Sequence, residues 1–155
     1  MAVLLSLAAI ALFAVAAVTD ARERRIPNWL SLGLAALGLL RIGLALVAGS
    51  GALASALDLA AALAVFALAA GAFRFGVLGG GDAKLLAAGT LWFGAAALGP
   101  YLLITVLAGG VLAVLYIAWQ LAIPGRMAAA NRPSLPYAVA IAAGGILTTA
   151  SPLWM

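Results

Sequence analysis

The sequence predicts an all-α protein, a single domain crossing a membrane about six times. Three observations carry that prediction. Of the 155 residues, 68% are hydrophobic and only 8% are charged, and the mean hydropathy is +1.27. The apolar residues are gathered into stretches near the roughly 20 residues that a bilayer-spanning helix needs. Those stretches are rich in leucine and alanine and show little period-two alternation, which argues against a membrane β-barrel. Because backbone N–H and C=O groups find no water in lipid, each stretch must satisfy them internally as a helix. The length suits one domain and is too short for two ordinary ones.

Charge, glycine and proline divide the chain into six segments. The first, 1–19, ends at Asp20 and carries no charge before it. The small residues of "AVAAVTD" offer a signal-peptide reading, but signal peptides carry cations before the apolar stretch and here the cations follow it. The segment is therefore expected to be a retained helix. The second, 28–48, opens after Pro27, which fixes the turn, and at Asn28, which can cap the helix. The third, 53–73, begins after the "GSG" at 49–51, carries Asp58 a short way in, and ends at Arg74. The fourth, 82–98, opens at Asp82 behind three glycines, and a "GP" at Gly99 and Pro100 separates it from the fifth, 101–123. The sixth, 135–153, follows a polar stretch with Arg126 and Arg132.

Six crossings put Arg22, Arg24, Arg25, Arg74, Lys84, Arg126 and Arg132 on one side and Arg41 alone on the other. The positive-inside rule makes the crowded side cytoplasmic and leaves both termini outside. A net charge of +4 spread thinly among apolar runs marks orientation rather than nucleic-acid binding, so no nucleic-acid partner is expected. The chain has no cysteine and no histidine, which removes thiol nucleophiles, disulfides, imidazole bases and zinc sites built from those ligands.

What remains is four acids: Asp20, Glu23, Asp58 and Asp82. An ionisable residue in or beside a membrane segment is expensive and is a functional candidate by default. Asp20 closes the first segment and Asp82 opens the fourth, so an even number of crossings between them returns both to one face. If the two carboxylates approach, they are expected to share a proton and titrate as a coupled pair. One can then activate a water while the other, protonated, hydrogen-bonds a substrate carbonyl, the logic of aspartic proteases. The glycines of "GGGDAK" at 79–84 would let an extended peptide approach Asp82. Taken alone, GGGD reads more simply as a helix start with Asp82 as cap. A phosphate-binding loop is excluded: GxxxxGK[ST] is missing and an aspartate at the helix start repels an anion.

Two stretches taken together, "DARERRIPN" at 20–28 and "GGGDAKLL" at 79–86, resemble the prepilin peptidases, integral-membrane aspartic proteases. The resemblance is closest to the short form associated with tight-adherence (Flp-type) pili. Asp20 stands six residues before Ile26, Pro27 and Asn28, and Gly79, Gly81, Asp82 and Lys84 fill a GxGD with a following lysine. "LPYAVAIAAGG" at 135–145 is similar to the last helix of that family. The resemblance implies that Asp20 and Asp82 are catalytic. It implies a prepilin substrate whose short basic leader lies in the cytoplasm and is cut before an apolar helix. It also puts Pro136 and Tyr137 near the site, whereas Gly80 enters only with Gly79 and Gly81 as part of the glycine approach to Asp82. Long members of the family carry a cytoplasmic insertion with zinc-binding cysteine pairs and an N-methyltransferase activity. This chain has no cysteine and a first loop of only about eight residues, so neither activity nor any cofactor or metal is expected.

The other polar residues have ordinary readings. Asp58 is expected to be structural or water-facing, near Arg41 and away from the other acids, rather than a third catalytic acid. Glu23 is a solvated charge among arginines. Lys84 points to another helical face than Asp82 and can snorkel to lipid headgroups. Tyr137 suits a membrane interface. The abundant glycine and alanine read as close helix contacts. The alternative function is non-enzymatic, a small proton- or ion-coupled transporter or an assembly subunit.

Overall fold

In a computed structural model that describes residues 2–49, 51–122 and 136–151, the chain forms five helices and, among the described residues, no strand. They are α1 (Ala2–Glu23), α2 (Asn28–Val47), α3 (Ala52–Arg74), α4 (Gly80–Ala122) and α5 (Tyr137–Ala150). The all-α, polytopic architecture is the one composition predicts. The count of about six is not reached among the described residues: α1 to α4 are long and apolar enough to cross a membrane, whereas α5 has 14 residues. Fourteen residues rise about 21 Å, short of a hydrocarbon core of about 30 Å. Arg126 and Arg132 lie outside the described residues.

One boundary moves. Gly99 and Pro100 do not separate two helices; both lie within α4, and the break comes earlier, at Gly94, with φ 73° and ψ −177°. The reason is steric and electrostatic. A left-handed φ suits glycine, and a Cβ there would fall 2.5 Å from Asp58 Oδ1. Unbroken, the 43 residues of α4 would extend about 65 Å, twice a bilayer core. Instead the arm after Gly94 turns back along the arm before it: the Phe93 and Tyr101 rings lie 4.8 Å apart, and a Cβ on Gly89 would fall 2.7 Å from Tyr101 Cζ.

The first arm of α4, residues 80–93, is the axis around which the other helices are ordered. α2 runs alongside it in the same direction, with Asn28 at Lys84, Gly38 against the Leu91 backbone, and Arg41 at Gly94. α3 runs the opposite way, with Phe73 against Gly80 and Asp58 at Ala95. α1 also runs opposite, its Phe13 stacked on Phe93 at 6.2 Å. α5 begins where α1 ends and carries Gly145 under the Phe13 ring. Lipid is as apolar as leucine, so contacts of this kind hold such a bundle through van der Waals fit rather than hydrophobic burial.

The consequence is two distinct ends, about 20 Å apart along the first arm. One end gathers Asp20, Arg24, Pro27, Asn28, Asp82 and the start of α5. The other holds Asp58, which pairs with Arg41 and accepts a hydrogen bond from the Ala95 N–H at 2.8 Å. Asp58 thus anchors the start of the returning arm beside Arg41, as a structural acid should.

Candidate active site

α1 runs on to Glu23, past the expected end at residue 19, so Asp20 sits in its last turn. Arg24 closes that turn. Its N–H donates to the Asp20 carbonyl at 3.0 Å, and its φ of 54° is the left-handed geometry that ends many helices, here adopted by a residue other than glycine. The chain then enters α2 through Ile26 and Pro27. Asp20 is buried, 7% exposed, and its Oδ2 accepts a hydrogen bond from the Ala138 N–H of the first turn of α5 at 3.2 Å. Two helix ends distant in sequence therefore fix one carboxylate.

Asp82 is the third residue of α4. Its carboxylate reaches back over the first turn to accept the Gly79 N–H, the return contact of a capping box. The capping interpretation accounts for only half of the side chain: Oδ1 is buried and has no hydrogen-bond partner. A buried carboxylate oxygen left unsatisfied is costly, and such an atom marks where a proton, water or substrate group is received.

The two acids meet. Asp20 and Asp82 line one cavity of about 500 Å³ together with Arg24, Ile26, Pro27, Asn28 and the three glycines 79–81, and they lie within electrostatic reach of each other. Two of the glycines have reasons inside the protein. A Cβ on Gly79 would fall 2.5 Å from Asp82 Oδ2, and one on Gly81 would fall 3.0 Å from Ile26 Cβ. Gly79 thus leaves room for the carboxylate, and Gly81 lets the loop after Asp20 close onto the loop before Asp82.

The remaining candidates divide. Asn28 does not cap α2: Pro27 holds the N-cap position without a side-chain bond, and Asn28 Oδ1 instead accepts from Lys84 Nζ at 3.1 Å. Lys84 ties the start of α2 to the start of α4 from outside the cavity that Asp20 and Asp82 line. Pro136 and Tyr137 do not line that cavity; they start α5 and so present the Ala138 N–H to Asp20. Arg24, Arg25 and Glu23 do line it, although their charges read in sequence as orientation signals or solvated groups. Ile26 and Ala138 are the supporting residues that the sequence does not announce. The aliphatic position of the IPN triplet hints at the first; nothing local hints at the second, which acts through its backbone.

Neither the curated proteins nor the solved structures give a match to the chain. The sequence profile of the type IV leader peptidase family does, over residues 7–118, a span that holds both aspartates and the loops around them and stops short of α5. With more than half of its length matched by that profile, the chain belongs to the type IV leader peptidase family, whose members are prepilin peptidases.

Proposed function

We propose that the protein is an aspartic endopeptidase that removes the leader from Flp-type prepilins at the cytoplasmic face of the cytoplasmic membrane, with Asp20 and Asp82 as its dyad. The observation that carries this reading is the shared cavity: two acids far apart in the matched region line it, and Asp82 Oδ1 is buried without a hydrogen-bond partner. In the resting dyad one carboxyl holds a proton and the other is ionised. The ionised one takes a proton from water as the water oxygen attacks the scissile carbonyl carbon. The protonated one donates to the carbonyl oxygen, giving a neutral tetrahedral diol. The acid that took the water's proton then passes it to the amide nitrogen, while a diol hydroxyl gives its proton to the other carboxylate. The C–N bond breaks, the dyad regains its one proton, and the leader leaves with a new carboxyl end.

The short link between Glu23 and Asn28 supports the small-member reading, because residues 24–27 leave no room for a folded zinc-binding insertion. The cluster of Arg22, Arg24, Arg25, Arg74 and Lys84 at the dyad end supports a cytoplasmic site. The test is co-expression with a Flp-type prepilin, with the shortened product resolved by mass. Asp20→Asn and Asp82→Asn should each abolish cleavage, by at least about 10³-fold, while the folded protein accumulates in the membrane. Cleavage that persists in both variants would sink the dyad.

A further inference from the structure

Beside the dyad cavity lies a second one that the chemistry above does not use. α2 and α3 each pack on the first arm of α4 but scarcely touch each other, which leaves a groove of about 500 Å³ between them. Four alanines, Ala35, Ala62, Ala87 and Ala88, line it together with the larger Leu59, Phe66 and Leu91. Its rims carry Leu32 and Leu63, 69% and 68% exposed, so it opens sideways into lipid. Along α4 it runs from Lys84 to Leu91, about 10 Å or two helical turns. Only its dyad-end residues are polar: Asn28, Ser31 and Lys84.

We propose that this groove holds the first two turns of the prepilin's apolar helix while the residues around the scissile bond occupy the dyad cavity; the inference rests on the proposed peptidase function. Continuity of the two cavities carries it. Asn28 lines both, and its bond to Lys84, two residues beyond Asp82, forms the sill between them. A chain cut at the dyad and continuing into an apolar helix has to leave the cavity toward lipid. The groove is an exit whose alanines let a helix backbone approach more closely than a disordered acyl chain can match. The polar end fits the same occupant. Where the substrate passes from extended to helical, its first N–H groups lack intrahelical partners, and in lipid they require acceptors. The Ser31 hydroxyl and the Asn28 carbonyl stand at that point.

Crosslinking tests the assignment directly, because the chain has no cysteine of its own. Single cysteines are placed at Leu63 or Ala35 in the groove and at Leu7 or Val106 on other lipid-facing surfaces, in the Asp82→Asn background. The partner is a Flp-type prepilin carrying one cysteine three to seven residues after its cleavage site. The expected result is crosslinking at Leu63→Cys and Ala35→Cys at least about tenfold above that at Leu7→Cys and Val106→Cys. With Asp82 intact, Ala35→Trp should slow leader cleavage about tenfold or more, and Val106→Trp should leave it unchanged. Equal or stronger crosslinking at Leu7 or Val106, in a protein whose unaltered form cleaves the prepilin, overturns the groove assignment alone. Failure of the unaltered protein to cleave overturns the peptidase reading and the groove with it.

Discussion

Asp82 uses its two oxygens differently, one returned to the Gly79 N–H and the other buried without a partner. Gly79 is therefore the residue on which the placement of the carboxylate depends most sharply. Gly79→Ala would drive a methyl to 2.5 Å from Oδ2, and the carboxylate has to move. Since a displacement near 1 Å can cost about 10²-fold in rate, leader cleavage should fall by about that factor. Gly51→Ala, where a Cβ meets nothing within 4 Å, should cleave like the unaltered protein. Equal rates in the two variants would show that the carboxylate position does not limit catalysis. A proton-sharing dyad also predicts a bell-shaped dependence of kcat/KM on pH, since the working state has one acid protonated and one ionised. A single-limbed profile would be inconsistent with a pair acting together.

At the scale of elements, the decisive feature is the break in α4. Gly94 turns the helix, and Asp58 occupies the space that a side chain would need while accepting the first N–H of the returning arm. Asp58→Asn keeps the shape and removes the charge that Arg41 opposes. It should destabilise the folded protein by about 2 kcal/mol, read as a lower midpoint of thermal unfolding in detergent, because hydrogen bonds to charged groups are worth about 1.5–3 kcal/mol. Gly94→Ala should be more damaging, since it adds a clash with both Asp58 and Arg41 to the strain of a left-handed φ. Neither residue touches the dyad cavity, so Asp58→Asn should still cleave below its unfolding temperature. Loss of cleavage in a folded Asp58→Asn protein would show coupling between the two ends. The expected boundary at Gly99 and Pro100 followed from their reputation as helix breakers. It missed because a proline early in a membrane helix can be accommodated by its neighbours, whereas the break required an acid from another helix.

For the whole molecule, the arrangement of ends makes orientation testable. With the dyad end cytoplasmic, a single cysteine at Arg25 should react with an impermeant reagent only from the cytoplasmic side, and one at Gly49 only from the other. Reaction of Gly49→Cys from the cytoplasm would invert the topology and remove the leader from reach. The whole chain also bounds its chemistry. Only residues 24–27 link α1 and α2, so purified protein supplied with a methyl donor should transfer no methyl group to mature pilin.

The sequence by itself determined the fold class and the family, and it singled out the pair of acids. Hydropathy is summed along the chain, and Asp20 with IPN and GGGDAK is local spelling that needs no coordinates. Helix parity went one step further and predicted that Asp20 and Asp82 share an end while Asp58 does not. Tertiary structure alone decided what surrounds those acids: the Ala138 N–H on Asp20, the Ile26 side chain over Gly81, the Lys84 bond that takes Asn28 away from capping, and the groove between α2 and α3. Each of these depends on the distance and rotation between helices far apart in sequence. Where the exterior is as apolar as the interior, a helix's pattern of apolar residues does not reveal which of its faces meets which neighbour.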